Sequence, residues 1–210
     1  MLKDMKIGQR LGLGFGLVIL FFVATVLVTT VYLKTADTSA KLVANESVPY
    51  AITAGDMVLD VAQVQQFLQD VSATHNPGGY KDAEEAAQGF RAGAAKFREM
   101  FTREADSKAL KALDDMEADF NRYYDLGKRM AGVYVTQGIT EGNKIMEDFD
   151  KIAGALTDEI TKLKKAQVDE ADTNSRGIVT LIDRVLTVQY ALGGIAVALA
   201  LIIAVFLTTA

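Results

Sequence analysis

The sequence predicts an all-α fold: an antiparallel, up-down-up-down four-helix bundle whose first and last helices run on into two transmembrane helices. Three observations carry this. Apolar residues through the middle of the chain recur at spacings of three and four, and nowhere with the alternation of a strand. Strong breaks divide that middle into four pieces, while the whole chain holds only two prolines. Two charge-free apolar stretches bracket it, 11–33 between Arg10 and Lys34, and 185–210 after Arg184. At about 1.5 Å per residue each is about 35 Å long, enough for a hydrocarbon core about 30 Å thick. The predicted domains are a cytoplasmic N-terminus (1–10), transmembrane helix 1 (11–33), an extracytoplasmic bundle (34–184) and transmembrane helix 2 (185–210).

The first span is too long for the apolar region of a cleaved signal peptide, and no small-x-small cleavage site directly follows it. Lys3, Lys6 and Arg10 precede it against Asp4 alone, so the positive-inside rule keeps the N-terminus cytoplasmic and the middle outside. Gly8, Gly12 and Gly16 share one face, as small residues do where membrane helices approach closely. The first bundle segment runs from Lys34 to about Thr74. Its stripe Met57, Val61, Val64, Leu68 and Val71 alternates steps of four and three, the spacing of helix-on-helix packing. Pro49 should bend this helix or unwind a turn, with Asn45 or Ser47 capping a restart.

His75-Asn76-Pro77-Gly78-Gly79 ends the segment. The second segment spans about 81–103, with alternating Ala and Phe on one face. Asp106 or Ser107 then reads as an N-cap. The third segment carries the stripe Leu113, Met116, Phe120, Tyr123, Gly127, Met130 and Tyr134, and Gly138 stops it. Thr140 is the expected N-cap of the fourth segment, whose stripe runs from Ile145 to Leu163. The fourth segment turns polar through 169–176 and enters the second span, where Gln189 is the one strongly polar side chain. Short connections favour antiparallel neighbours.

Composition removes several function classes. The chain carries 22 Lys and Arg against 27 Asp and Glu, for a net charge of −5. Such a balance argues against nucleic acid, which rewards clustered bases. There is no cysteine, so no disulfide, thiolate chemistry or zinc–thiolate site is expected. No catalytic motif is present, and the single histidine cannot supply the paired Glu-x-x-His of a di-metal carboxylate bundle. Asp114, Asp115, Glu117 and Asp119 read as a solvated acidic face. No enzyme activity, cofactor or metal is expected.

Candidate binding residues collect at the far end of the bundle. The run from Gln63 to Thr74 places many uncharged hydrogen-bonding groups on a packing helix, and those turned inward need partners in protein, water or a polar ligand. His75 ends that helix as a capping histidine, or else as a ligand contact or pH-sensitive group. Gln137, Asn143 and Lys144 flank the turn between the third and fourth segments. The expected ligand-binding set is Gln66, Asp70, His75, Tyr134, Gln137, Asn143 and Lys144.

Three stretches resemble a known family: Lys6-Ile7-Gly8-Gln9-Arg10-Leu11 to Gly14-Phe15, Asn45-Glu46-Ser47-Val48-Pro49, and Val64 through Thr74 (VQQFLQDVSAT). With the two-span layout, they resemble the N-terminal half of a bacterial methyl-accepting chemotaxis receptor with a four-helix-bundle sensor domain. The resemblance implies a homodimer in the inner membrane, packed through the first bundle helix, with Met57, Val61, Val64, Leu68 and Val71 as the expected dimer interface. It also implies a periplasmic small-molecule ligand and a displacement of the last bundle helix, passed across the membrane to a cytoplasmic signalling module. That module is absent from this chain. The family's arginine grip on an amino-acid carboxylate does not carry over, because no Lys or Arg lies between Lys41 and Lys81. The alternatives are the input half of a sensor histidine kinase or nucleotide cyclase, and a ligand-free structural bundle. The second span reaches Ala210 with neither a basic anchor nor an output domain. The expectation is either a fragment or a naturally short receptor that acts through a partner.

Overall fold

The structure, a computed structural model, describes residues 7–209, and every element among them is helical. The basic flank Lys3 and Lys6, and the last residue Ala210, lie outside the described residues. The helices are α1 (Ile7–Leu42), a π-helical turn (Val43–Ser47), α2 (Val48–Thr74), α3 (Gly78–Arg103), α4 (Ser107–Gln137) and α5 (Ile139–Thr209). Two compact units divide the described residues, one formed by those up to Ala44 and from Ala171 onward, the other by Asn45–Glu170. The second is shorter at both ends than the bundle expected over 34–184, because 34–44 and 171–184 group with the apolar helices.

Each helix end has a local cause. The α2 helix stops where His75 takes a left-handed conformation (φ 61°), its N–H reaching the Val71 carbonyl at 2.9 Å. Asn76 Oδ1 accepts from the Gly78 N–H at 2.9 Å, so the asparagine turns the chain into α3. Asp106 caps α4, its Oδ1 accepting from the N–H groups of Lys108 (3.0 Å) and Ala109 (2.9 Å). Gly138 (φ 84°) alone separates α4 from α5, a conformation that only glycine adopts without strain. Thr140 therefore lies inside the first turn of α5 rather than at its cap.

Pro49 acts upstream of itself. It lacks an N–H, so the carbonyl one α-turn earlier has no donor. The five-residue π-helical turn lies directly before α2, where a wider turn shifts the bonding register by one residue. The helix bulges here instead of restarting: Ser47 is helical, and its side chain makes no capping bond. Its hydroxyl is fully buried without a hydrogen-bond partner.

The core of the Asn45–Glu170 unit is a column of aromatic rings. Phe90 stacks on Phe120 at 3.8 Å between centroids, and Tyr123 on Phe149 at 4.7 Å. The Tyr123 hydroxyl donates to the Val61 carbonyl at 2.8 Å, which ties α4 to α2. Met57, Val61, Val64, Leu68 and Val71 are each 0–1% exposed within the single chain. The stripe expected to pair two chains is thus spent on this chain's own core. Their spacing reports helix packing but does not say which helix is the partner.

In the other unit, the helices α1 and α5 each contain an unburied window long and apolar enough to cross a membrane. Gly14 faces Ile203 there, whereas Gly8, Gly12 and Gly16 face open space. Gln189 donates to the Thr29 hydroxyl at 3.4 Å.

Candidate functional site

None of the predicted distal residues lines the grooves that open along α4 and α5. Gln66, Asp70, His75, Gln137, Asn143 and Lys144 are exposed. Tyr134 is buried, and its hydroxyl donates to Asn143 Oδ1. Lys144 is held by Glu141 at 2.6 Å. The glutamine run finds partners in the protein: Gln65 and Gln69 both donate to Asp150 of α5, at 2.8 and 3.3 Å. Of the seven predicted residues the structure brings together only Tyr134 and Asn143, and it uses them to tie α4 to α5.

The acidic run on α4 is shared among separate bases. Asp114 and Glu117 both meet Arg98, Asp115 meets Lys111, and Asp119 meets Arg122. Farther along the same α3-facing side of α4, the Tyr124 hydroxyl donates to Glu84 at 2.7 Å. That bond, first among several, holds the Glu84 carboxyl below its usual range, while burial pushes the Tyr124 phenol up to about 12.

Concave surface lies instead along the seam between α4 and α5, where two grooves open. The middle groove, about 690 Å³, has Leu126, Ile152 and Leu156 among its lining. Its rim alternates in sign, with Arg122, Arg129 and Lys151 against Asp119, Asp125, Asp148 and Glu159. The second groove, about 730 Å³, lies at the α3–α4 corner. Phe101, Leu113, Met116 and Leu163 line it with three alanines, and Lys108, Lys162, Asp115 and Glu159 are its charged residues. Volumes of 300–1,000 Å³ with an apolar lining and few polar groups are typical of small-molecule sites. These residues were missed because each stripe reads as core alone. The gap shows only once the facing positions of α4 and α5 are known.

Three carboxylates elsewhere in the same unit are pushed upward. Asp60 is pushed up to about 6, first by burial and then by the charge of Asp56. Glu104 and Glu170 both lie above the usual range through burial, with Glu46 adding to each. Arg103 offsets this by pairing with Glu46 at 2.7 Å. Among the described residues no group of three or more His, Cys, Asp or Glu is placed to hold a metal ion.

Compared with protein families, with curated proteins and with solved structures, the chain matches none. Its class therefore rests on the fold alone: an all-α helical bundle joined in one chain to two helices able to cross a membrane.

Proposed function

We propose that the chain is the sensory and membrane-spanning portion of a chemotaxis-type transducer. In this reading α1 and the end of α5 cross the bacterial inner membrane, the N-terminus is cytoplasmic, and the Asn45–Glu170 unit stands outside as the sensor. The bundle helices run up-down-up-down, in keeping with connections of three residues or fewer between α2, α3, α4 and α5. A small molecule bound by the bundle would favour one arrangement of helices over another, and only such a difference in affinity can produce a signal. The signal would pass through α5 to a cytoplasmic module.

One observation carries the reading: the two apolar helices bracket the bundle in sequence and bury none of their apolar windows, while the bundle closes its own aromatic core. The receptor would be a homodimer paired through the outer face of α2, where Val48, Ile52 and Leu59 are 42, 60 and 55% exposed.

The chain has no cysteine, so single cysteines report topology without background. Cysteine placed at Glu85, in the bundle, should react with a membrane-impermeant maleimide on intact spheroplasts. Cysteine at Met5 should react only after permeabilisation. The reverse pattern would reject the proposed orientation, and equal labelling of both would reject the two-pass reading.

A further inference from the structure

The corner groove differs from the middle one in a way that identifies an occupant. Its lining is mostly hydrocarbon: Phe101 from α3, Leu113 and Met116 from α4, and Leu163 from α5, with small alanines between them. At its edge stand Lys108 from the first turn of α4 and Lys162 from α5. Among the described residues neither ammonium has a carboxylate within 4.0 Å, whereas the neighbouring Lys111 is taken by Asp115 at 2.8 Å. Of the groove's two carboxylates Asp115 is held by Lys111, which leaves Lys108 and Lys162 against Glu159 alone, an excess that calls for a single negative charge attached to a hydrophobic body. In the middle groove four carboxylates face three bases around the rim, which gives an anion no such advantage.

We infer that the corner groove binds a small amphipathic organic monocarboxylate. The apolar body lies over Phe101, Leu113, Met116 and Leu163, and the carboxylate lies between Lys108 and Lys162. Glu159, which lines both grooves, sets the specificity. A second carboxylate on the ligand would meet its charge, so dicarboxylates of the same size bind more weakly. The assignment deepens the sensory reading and rests on it for its meaning, because it names the class of molecule sensed.

The test is equilibrium dialysis of 3-phenylpropionate against the full chain in phosphatidylcholine nanodiscs, with empty nanodiscs as the blank for partitioning into lipid. Saturable binding of one ligand per chain is expected, weakening as salt is raised. The Lys108→Gln/Lys162→Gln variant should bind about tenfold more weakly, the scale of two partly screened charge contacts. Replacing the ligand by neutral 3-phenylpropanol should cost a similar factor. Ala112→Trp, which fills the groove but keeps both lysines, should abolish binding, and Arg129→Gln in the middle groove should leave it unchanged.

Absence of saturable binding, or binding indifferent to both the lysine pair and Ala112→Trp, would overturn the assignment. Transmission is read separately, as the change that ligand causes in disulfide formation between Thr29→Cys and Gln189→Cys. Binding without that change keeps the site and rejects the sensory role. A change caused by other molecules, with no binding at the corner, keeps the sensory role and rejects the site.

Discussion

Asp60 is a carboxylate held where a charge is costly. It lies against Gly89 of α3, where an added Cβ would stand 2.6 Å from one carboxylate oxygen and 2.8 Å from the other. Burial and Asp56 push its pKa up from 3.8 to about 6, so the folded state binds this proton more tightly than the unfolded chain does. Its contribution to stability is therefore most favourable below pH 4, falls as pH rises from about 4 to about 6, and is flat above. Asp60→Asn should remove that slope and stabilise the protein at pH 7. The full shift is discounted to about 1 kcal/mol because water still screens the group. Urea unfolding at pH 4, 5, 6 and 7 measures it, and parallel pH profiles for both proteins would refute it. Gly89→Ala should cost about 1–3 kcal/mol by overpacking and clearly less when Asp60 is already alanine, since contacting residues couple.

The breaks between elements express residue-level chemistry, and most were legible. Gly138 and Asp106 act where turn and capping preferences place them, and His75 ends α2 through its backbone N–H. Asp106→Ala should cost about 1 kcal/mol, the usual worth of an N-cap aspartate, seen as a lower thermal midpoint with an unchanged helical spectrum. Thr140 was misread because Gly138 alone suffices to turn the chain, leaving no separate cap to fill. Pro49 announced a disturbance in the first helix but not its form, since bend, restart and π-helical turn all answer a missing N–H. The π-helical turn leaves Ser47 Oγ buried and unpaired, and an unsatisfied hydroxyl costs more than the hydrocarbon that would replace it. Ser47→Ala should therefore stabilise by about 0.5–1 kcal/mol. A loss of stability would mean that the hydroxyl has a partner, such as an internal water.

For the whole molecule, the all-α class was legible because a period of three and four residues survives any arrangement of the helices. The partner of each stripe was not. A buried seam within a chain and a seam between two chains carry the same spacing, and in α2 the more regular stripe belongs to the inside. The same ambiguity hid the grooves on α4 and α5. It also redirects the dimer prediction to the opposite face of α2, where Val48, Ile52 and Leu59 are exposed at separations of four and seven residues and Ala62 and Gln66 continue the line. That spacing fits a second helix packed alongside. Single cysteines at Ile52, Leu59 and Gln66 should cross-link two chains rapidly under mild oxidation in membranes. Cysteines at Met57, Val64 and Leu68, buried in one chain's core, should cross-link slowly or only after unfolding. The opposite order would place the pairing stripe back on the core residues and require the bundle to open when two chains meet. A flat pattern along α2 would instead remove this helix from the dimer.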